Sequence, residues 1–459
     1  MKTSPRGSSA PRDHALVALE YRDFRLIWGG QAISQAGSQM QVVAINWHLW
    51  ELTHDPLALG MIGLARFLPI IFFSLVGGVT ADRRDRRRVM MVTQTVLMLV
   101  AAGLGLLTTL GVINQYAIYM LGAVGAAALS FDNPARQSLI PNLVPRHHLT
   151  NALTLNSIIF QVASILGPFF AGVLIEYSGV GIVYWVNAAS FLAVIAALAV
   201  MKTPAQEQTG PSEQVHPLES LRQGIHFVAH SQIILSTMLL DFFATFFASA
   251  NTLMPIFATD VLHVGAVGFG ILNASQSIGS VIAAAAVTFI GDIKRKGIVL
   301  LASIGVYAAA TAVFGFSNIF ILSVAALALV GAGDTVSTIL RQTIRQLVTP
   351  DALRGRMTSI NMIFFMGGPQ LGEIEAGAAA RLLGAPASVV FGGVATFVLV
   401  VVTALLAPAL RHYRETPHIG AHGPPAVAGA NGTSATITER ESGVTHAPGA
   451  EERGAPSGK

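Results

Sequence analysis

The feature that most constrains this chain is a recurrence: about a dozen stretches of roughly 18 to 25 predominantly apolar residues, each long enough to cross a ~30 Å hydrocarbon layer as a helix. Composition decides whether such runs are core helices or membrane spans. The chain has 459 residues, of which 53% are hydrophobic and 11% charged, against roughly 25% charged in soluble proteins. A soluble fold of this length has no room to hide that much apolar surface, so the chain reads as an all-α integral membrane protein. The expected spans are 24–50, 57–81, 89–110, 116–138, 149–175, 180–201, 232–258, 266–290, 297–317, 318–340, 357–383 and 386–410. The polar start through Arg25 lacks the apolar core and cleavage site of a secretory signal, so insertion by the first helix with a retained N-terminus is expected. The absence of cysteine excludes disulfides, thiolate metal sites and thiol catalysis.

Charge supplies an independent test of the span count, because Lys and Arg collect in short cytoplasmic loops. With both ends cytosolic, 26 of the 28 basic residues fall on the inner side. The exceptions are Arg66, inside the second span, and Arg381, near an outer end. The densest group is Asp82 to Arg88, with five arginines and two aspartates in seven residues. It follows an apolar span directly, so it reads as the place where a helix leaves the membrane and not as a nucleic-acid patch.

The chain also repeats itself. A shift of 205 residues lays Arg136-Gln137 on Arg341-Gln342, Gly167 on Gly372 and Ala171-Gly172 on Ala376-Gly377. A slightly different offset, as unequal loops require, lays "ADRRDRRR" on "GDIKRKG". The expected architecture is therefore twelve transmembrane helices in two pseudo-symmetric six-helix bundles. The bundles are residues 21–201 and 232–410, with a cytosolic N-terminal tail over 1–20, a cytosolic linker over 202–231 and a disordered cytosolic tail over 411–459.

These residues resemble the major facilitator superfamily of secondary transporters. Its signature after the second helix, roughly G-x-L-A-D-R-x-G-R-K/R, is matched by Gly78, Ala81, Asp82, Arg83, Arg86 and Arg87. Asp85 stands where the family has Gly, and Thr80 at an apolar position. The stretches Glu51 to Arg66 and Phe131 to Pro145 resemble the branch of enterobactin-type siderophore exporters and macrolide or drug efflux proteins. The antiporter signature of the fifth helix is matched at Gly167, Pro168 and Gly172, while Ala163 and Ala171 replace glycines. Proline bends a helix and small residues permit close packing, so a helix bend and plain packing both fit. Tyr119 stands where family antiporters carry a fourth-helix arginine, which leaves proton coupling open. The resemblance implies alternating access, a small-molecule substrate, proton exchange and a bacterial cytoplasmic membrane location. It implies a cytosolic gate of Gly78, Asp82, Arg83, Arg86, Arg87, Asp132, Arg136, Asp334 and Arg341.

Ionisable groups inside spans are costly and therefore functional candidates. Arg66 is expected either to bind an anionic or polarisable substrate or to form an ion pair with an acid. Asp132 and Asp334, each followed closely by an arginine, are expected to pair structurally. Asp241 has no arginine near it in sequence, which makes it a candidate for proton uptake and release. Glu373 and Glu375 point about 200° apart on a helix, so at most one faces a cavity and the other must bond within the bundle. Polar stripes run through Gln31, Gln35, Ser38 and Gln39, through Thr154, Ser157, Gln161 and Ser164, and from Asp241 to Thr252. Such stripes face protein or a water-filled cavity. Gln35, Gln39 and Gln161 join Arg66, Asp241 and Glu373 as substrate or coupling candidates. Phe242, Phe243, Phe246 and Phe247 fit either a bulky substrate or lipid.

No phosphate-binding loop, H-E-x-x-H or G-x-S-x-G is present, so neither nucleotide hydrolysis nor hydrolase chemistry has a basis. His147 and His148 lack a second ligand cluster and read as a solvated loop. No cofactor, metal or nucleic acid is expected; the expected partners are a small-molecule substrate, protons and the bilayer, with the protein a monomer. The leading expectation is an exporter of a small amphipathic molecule. A lysolipid flippase, an uncoupled facilitator and a non-transporting receptor or assembly partner remain open.

Overall fold

The computed structural model describes residues 16–202, 225–291, 293–350 and 353–413. Hydrocarbon offers the backbone no hydrogen-bonding partner, so a chain of this kind must satisfy its peptide groups within helices. Among the described residues there is no strand. The long helices are α1 (Arg22–Thr53), α2 (Pro56–Arg83), α3 (Arg86–Thr109), α4 (Gln115–Leu139), α5 (Leu149–Ser178), α6 (Val180–Val200), α7 (Gln232–Phe247), α8 (Gly265–Ile290), α9 (Lys296–Phe316), α10 (Phe320–Val348), α11 (Arg354–Leu383) and α12 (Ala385–Leu406).

Among the described residues nine spans are long and apolar enough to cross a membrane. The helices outside that set, α1, α4 and α11, carry much of the polar side-chain load named above. Large apolar side chains line the outside: Phe289 is 90% exposed and Leu99 60%. In water such a surface would drive aggregation, whereas in a bilayer it is the lipid-facing surface. The protein is a multi-pass membrane protein.

Helix boundaries follow local chemistry. Asp55 accepts from Leu57 N at 3.0 Å and caps α2, with Pro56 at its first position. Asn114 caps α4 through Ala117 N at 2.9 Å. Gly179 and Gly384 take positive φ between α5 and α6 and between α11 and α12, which glycine allows without strain.

Two expectations need correction. The seventh span is a single apolar stretch, Gln232–Val261, but not the one continuous helix expected over 232–258: α7 stops at Phe247, and the chain continues through short turns at Ala250–Leu253 and Met254–Ile256 to a π turn at Phe257–Val261. Pro255 removes one backbone donor there. Polar groups at the break find partners on other helices, with Ala248 O accepting from Tyr307 OH at 3.2 Å and Ser249 Oγ donating to Pro369 O at 3.4 Å. His148 is not in a solvated loop. It is only 9% exposed, with its ring 5.9 Å from that of Tyr21.

Packing is different at the two ends. Helices α1 to α6 pack among themselves, as do α7 to α12, and the principal crossings between the sets are α2 with α11 and α5 with α8. At the end away from the arginine-rich α2–α3 turn, one apolar core contains Trp47, Ile62 and Tyr184 from the first set and Phe269, Phe314 and Ala376 from the second. At the arginine-rich end the cores are separate. One is built on Phe24, Met90, Leu139 and Val194, the other on Leu240, Leu300, Ile344 and Leu410.

Candidate functional site

The joined end is held by small residues and polar contacts. A Cβ on Gly172 of α5 would lie 2.5 Å from Ala266 O of α8, and one on Gly377 of α11 would lie 2.7 Å from Pro56 O of α2. Trp50 Nε1 donates to Thr259 Oγ1 at 2.9 Å, Ala266 N donates to Glu176 Oε2 at 3.0 Å, and Arg381 meets Asp55 at 3.7 Å. Gly167 serves close packing too, since a Cβ there would lie 2.6 Å from Cβ of Gln39 on α1. Gly167, Pro168 and Gly172 thus sit where α5 meets α1 and α8.

Below this closure the polar residues gather on α1, α2, α5 and α11. Gln39 Nε2 donates to Ser164 Oγ of α5 at 2.7 Å. Gln35 and Gln161 are half-buried. Arg66 of α2 and Glu373 of α11 act on each other electrostatically across the crossing of those helices. Glu373 Oε2 is buried without a hydrogen-bond partner, and it lies against Gly63, whose missing side chain makes the room. An unpartnered buried carboxylate oxygen is a site that a proton would satisfy. Glu375 is half-buried and, among the described residues, forms no ion pair or hydrogen bond, contrary to the expected bond within the bundle.

The remaining acids divide differently from expectation. Asp241, a candidate for proton uptake and release with no arginine near it in sequence, meets Arg341 at 2.9 Å and Arg345 at 3.8 Å across α7 and α10. Both Asp241 and Arg341 are 2% exposed, so this is a buried ion pair. Sequence distance hid it, because the partners are 100 residues apart in the chain. Asp334 meets Arg341 at 3.9 Å, the arginine expected for it. Asp132 does not pair with Arg136; it accepts from Thr93 Oγ1 at 2.7 Å and Gln94 Nε2 at 2.9 Å on α3. Arg136 instead donates to Gln31 Oε1 of α1 at 3.1 Å and to Asn133 Oδ1 at 2.7 Å.

Asp82, Arg83 and Gly78 fall on α2, but their side chains lie outside the described set. Arg86 Nη1 donates to Ser138 O at 3.0 Å and Arg87 Nη2 to Ala199 O at 2.8 Å. Each therefore satisfies a carbonyl near a helix C-terminus, where the dipole favours a cation. Asp85 caps α3, accepting from Arg87 N at 2.9 Å and Arg88 N at 3.4 Å, with Arg88 Nε 3.6 Å away. Phe242 and Phe246 stack at 6.1 Å, and Phe364 closes edge-on to Phe242. Tyr119 OH donates to Ala58 O at 2.8 Å. A separate groove of about 680 Å³ lies among α2, α3 and α4, with Val92, Val96, Val124 and Phe131 in its walls and Arg84 and Arg88 at its polar side. Among the described residues no cluster could hold a metal ion.

The sequence profile described as transmembrane secretion effector matches residues 14–428. The chain belongs to that family. The protein is a major facilitator superfamily transporter and not an enzyme. It is 28% identical over 399 residues to the enterobactin exporter EntS of Escherichia coli, covering 86% of this chain and 94% of that one. With the exporter of the same name from Citrobacter koseri it shares 27% over 401 residues at the same coverage. Its fold matches a bacterial homologue of the iron transporter ferroportin in an inward-facing state, with a TM-score of 0.65 at 13% identity over 85% of this chain and 99% of that one. It also matches the nucleoside transporter NupG, with a TM-score of 0.64 at 13% identity over 85% and 98%.

Proposed function

We propose that this transporter exports a small amphipathic molecule of siderophore or drug-like kind by alternating access, in exchange for protons. The observation that supports this reading is the unequal joining of the two helix sets. One apolar core crosses between them at one end, while separate cores stand at the arginine-rich end. Two six-helix halves, 21–201 and 232–410, rocking about a central site would exchange these arrangements. In this reading the separated end and both termini are cytosolic, which the bias of Lys and Arg toward that side supports, and the protein works as a monomer in a bacterial cytoplasmic membrane.

Glu373 is the proposed proton carrier and Arg66 its charge partner, since proton uptake by Glu373 would release Arg66. Arg86, Arg87 and the α2 end residues Gly78, Asp82 and Arg83 belong to the cytosolic gate in this reading. Gln35, Gln39 and Gln161 present amides to the substrate, and the relatives make enterobactin the first probe.

The experiment is flux of enterobactin into inverted-orientation proteoliposomes with an imposed pH step. Accumulation that follows the pH step, and loses that response in Glu373→Gln while exchange flux persists, is the expected result. Flux that ignores the pH step in the parent protein would make it an uncoupled facilitator, and no flux of enterobactin, macrolides or dyes would return the receptor reading. The groove among α2, α3 and α4 supports a second reading, lysolipid translocation, because its apolar walls and arginines suit an acyl chain and an anionic head. A labelled lysolipid in the same vesicles separates the two.

A further inference from the structure

The internal repeat carries a charge asymmetry. The 205-residue offset that aligns Arg136 with Arg341 holds for the fourth and tenth spans. An offset of 210, which aligns Asp82 with Asp292 and Gly60 with Gly270, aligns Gln31 of α1 with Asp241 of α7. The structure places these equivalent residues in equivalent contacts. Arg341 Nη2 meets the Asp241 carboxylate at 2.9 Å, and Arg136 Nη1 meets the Gln31 carbonyl oxygen at 3.1 Å. One half therefore holds a neutralised cation and the other a cation facing an amide.

Among the described residues the direct partners of Arg136 are both neutral amides. Its second hydrogen bond goes to the Asn133 carbonyl oxygen at 2.7 Å. Asp132, one turn away on the same helix, is committed to Thr93 and Gln94 of α3. Among the described residues Arg136 meets no carboxylate. Gln31 is 4% exposed, and its Nε2 is buried with no hydrogen-bond partner. The amide orientation is set by chemistry, because an oxygen must face the guanidinium and so the nitrogen must face away. The locus thus offers a positive charge facing only amide oxygens and, on the far side of the Gln31 amide, an unused N–H donor that a turn of that side chain would bring to a buried anionic oxygen. It stands at the foot of the α1 stripe that continues through Gln35 to Gln39.

We propose that Arg136 and Gln31 form an anion subsite for the transported molecule, in which a carboxylate or phenolate oxygen displaces the Gln31 carbonyl oxygen from Arg136 and then stands to that arginine as the Asp241 carboxylate stands to Arg341. This rests on the export reading and adds to it a substrate class, an anionic amphiphile. It also moves Arg136 from gate to binding site.

The repeat supplies the test. Gln31→Asp installs the carboxylate of the second half, and Gln31→Glu does so with the shape of the native amide; both are checked by gel filtration and melting. The full-length protein in detergent is titrated calorimetrically with 2,3-dihydroxybenzoate and with its uncharged methyl ester. The parent protein is expected to bind the acid at least about ten times more tightly than the ester. Folded variants are expected to lose that preference, because an internal carboxylate occupies the arginine. Absence of binding of the acid to the parent protein, or an unchanged preference in both folded variants, overturns the subsite. Loss of the preference in the variants together with absent enterobactin flux in the parent protein keeps the subsite and overturns the export reading.

Discussion

Gly172 of α5 and Gly270 of α8 approach so closely that a Cβ on Gly172 would lie 3.1 Å from Cα of Gly270. A Cβ on Gly377 of α11 would lie at the same 3.1 Å from Cα of Gly60 on α2. The offsets of the repeat relate Gly172 to Gly377 and Gly270 to Gly60, so one device closes both crossings. Without a side chain at either position the backbones themselves make van der Waals contact, which is the main attraction available between helices in lipid.

A side chain at these points has to push the helices apart. Gly172→Leu is expected to cost about 1 to 3 kcal/mol through overpacking and to open the joined end. The chain contains no cysteine, so a single Ala266→Cys, at a site 1% exposed, reports the opening directly. Maleimide labelling of that cysteine should be slow in the parent background and at least ~10-fold faster when combined with Gly172→Leu, as expected when a local closure is weakened by ~1.4 kcal/mol or more. Equal labelling rates would show that the glycine contact does not hold this end shut.

Arg381 and Asp55, at 3.7 Å, bridge the same end from partly exposed positions. Exposed pairs of this kind contribute about 0 to 1 kcal/mol and weaken with salt. Arg381→Gln should therefore shift the melting temperature little, and less in high salt than in low. A loss as large as that of Gly172→Leu would mean that charge and not close packing closes the end.

The Asp241 pair answers a different question. Removing one partner of a buried ion pair costs about 3 to 5 kcal/mol, because the other charge is left stranded. Asp241→Asn strands Arg341 and Arg345 and should lower folded yield and melting temperature sharply. Asp241→Asn combined with Arg341→Gln should recover part of the loss. A stable Asp241→Asn protein with an altered response to a pH step would instead restore Asp241 as the coupling acid.

Asp241 also shows where sequence reasoning stops. Helices are legible because a ~30 Å apolar layer imposes a length and because charged residues mark its edges; eleven of the expected spans differ from the long helices only at their ends. The seventh is not, because the break after Phe247 depends on a donor from Tyr307 and an acceptor at Pro369 that other helices bring to it, which no local pattern records. Glycines at 172 and 377 are visible as repeats, but their closeness to α8 and α2 is not. Ion pairs divide differently in the fold because sequence offers only local neighbours: Arg136 follows Asp132 by one turn yet faces Gln31 on another helix. Alignment of the two halves at the 210-residue offset places Gln31 opposite Asp241, the one signal of the asymmetry that sequence does contain.

Asp85, an acid where the superfamily signature has glycine, is the N-cap of α3. The side-chain oxygen satisfies two of the orphan N–H groups of the first turn, at Arg87 and Arg88. Its pairing with Arg88 is with a largely exposed side chain and adds little. Capping and pairing make separable predictions. Asp85→Asn keeps the cap without the charge and should be near neutral. Asp85→Gly should cost a few tenths of a kcal/mol and Asp85→Ala about 1 kcal/mol. Thermal melts of the three variants at low and high salt decide the matter: an order of Asn above Gly above Ala that survives salt establishes the cap. A loss in Asn as large as in Ala, vanishing in salt, would assign the residue's role to the arginines instead.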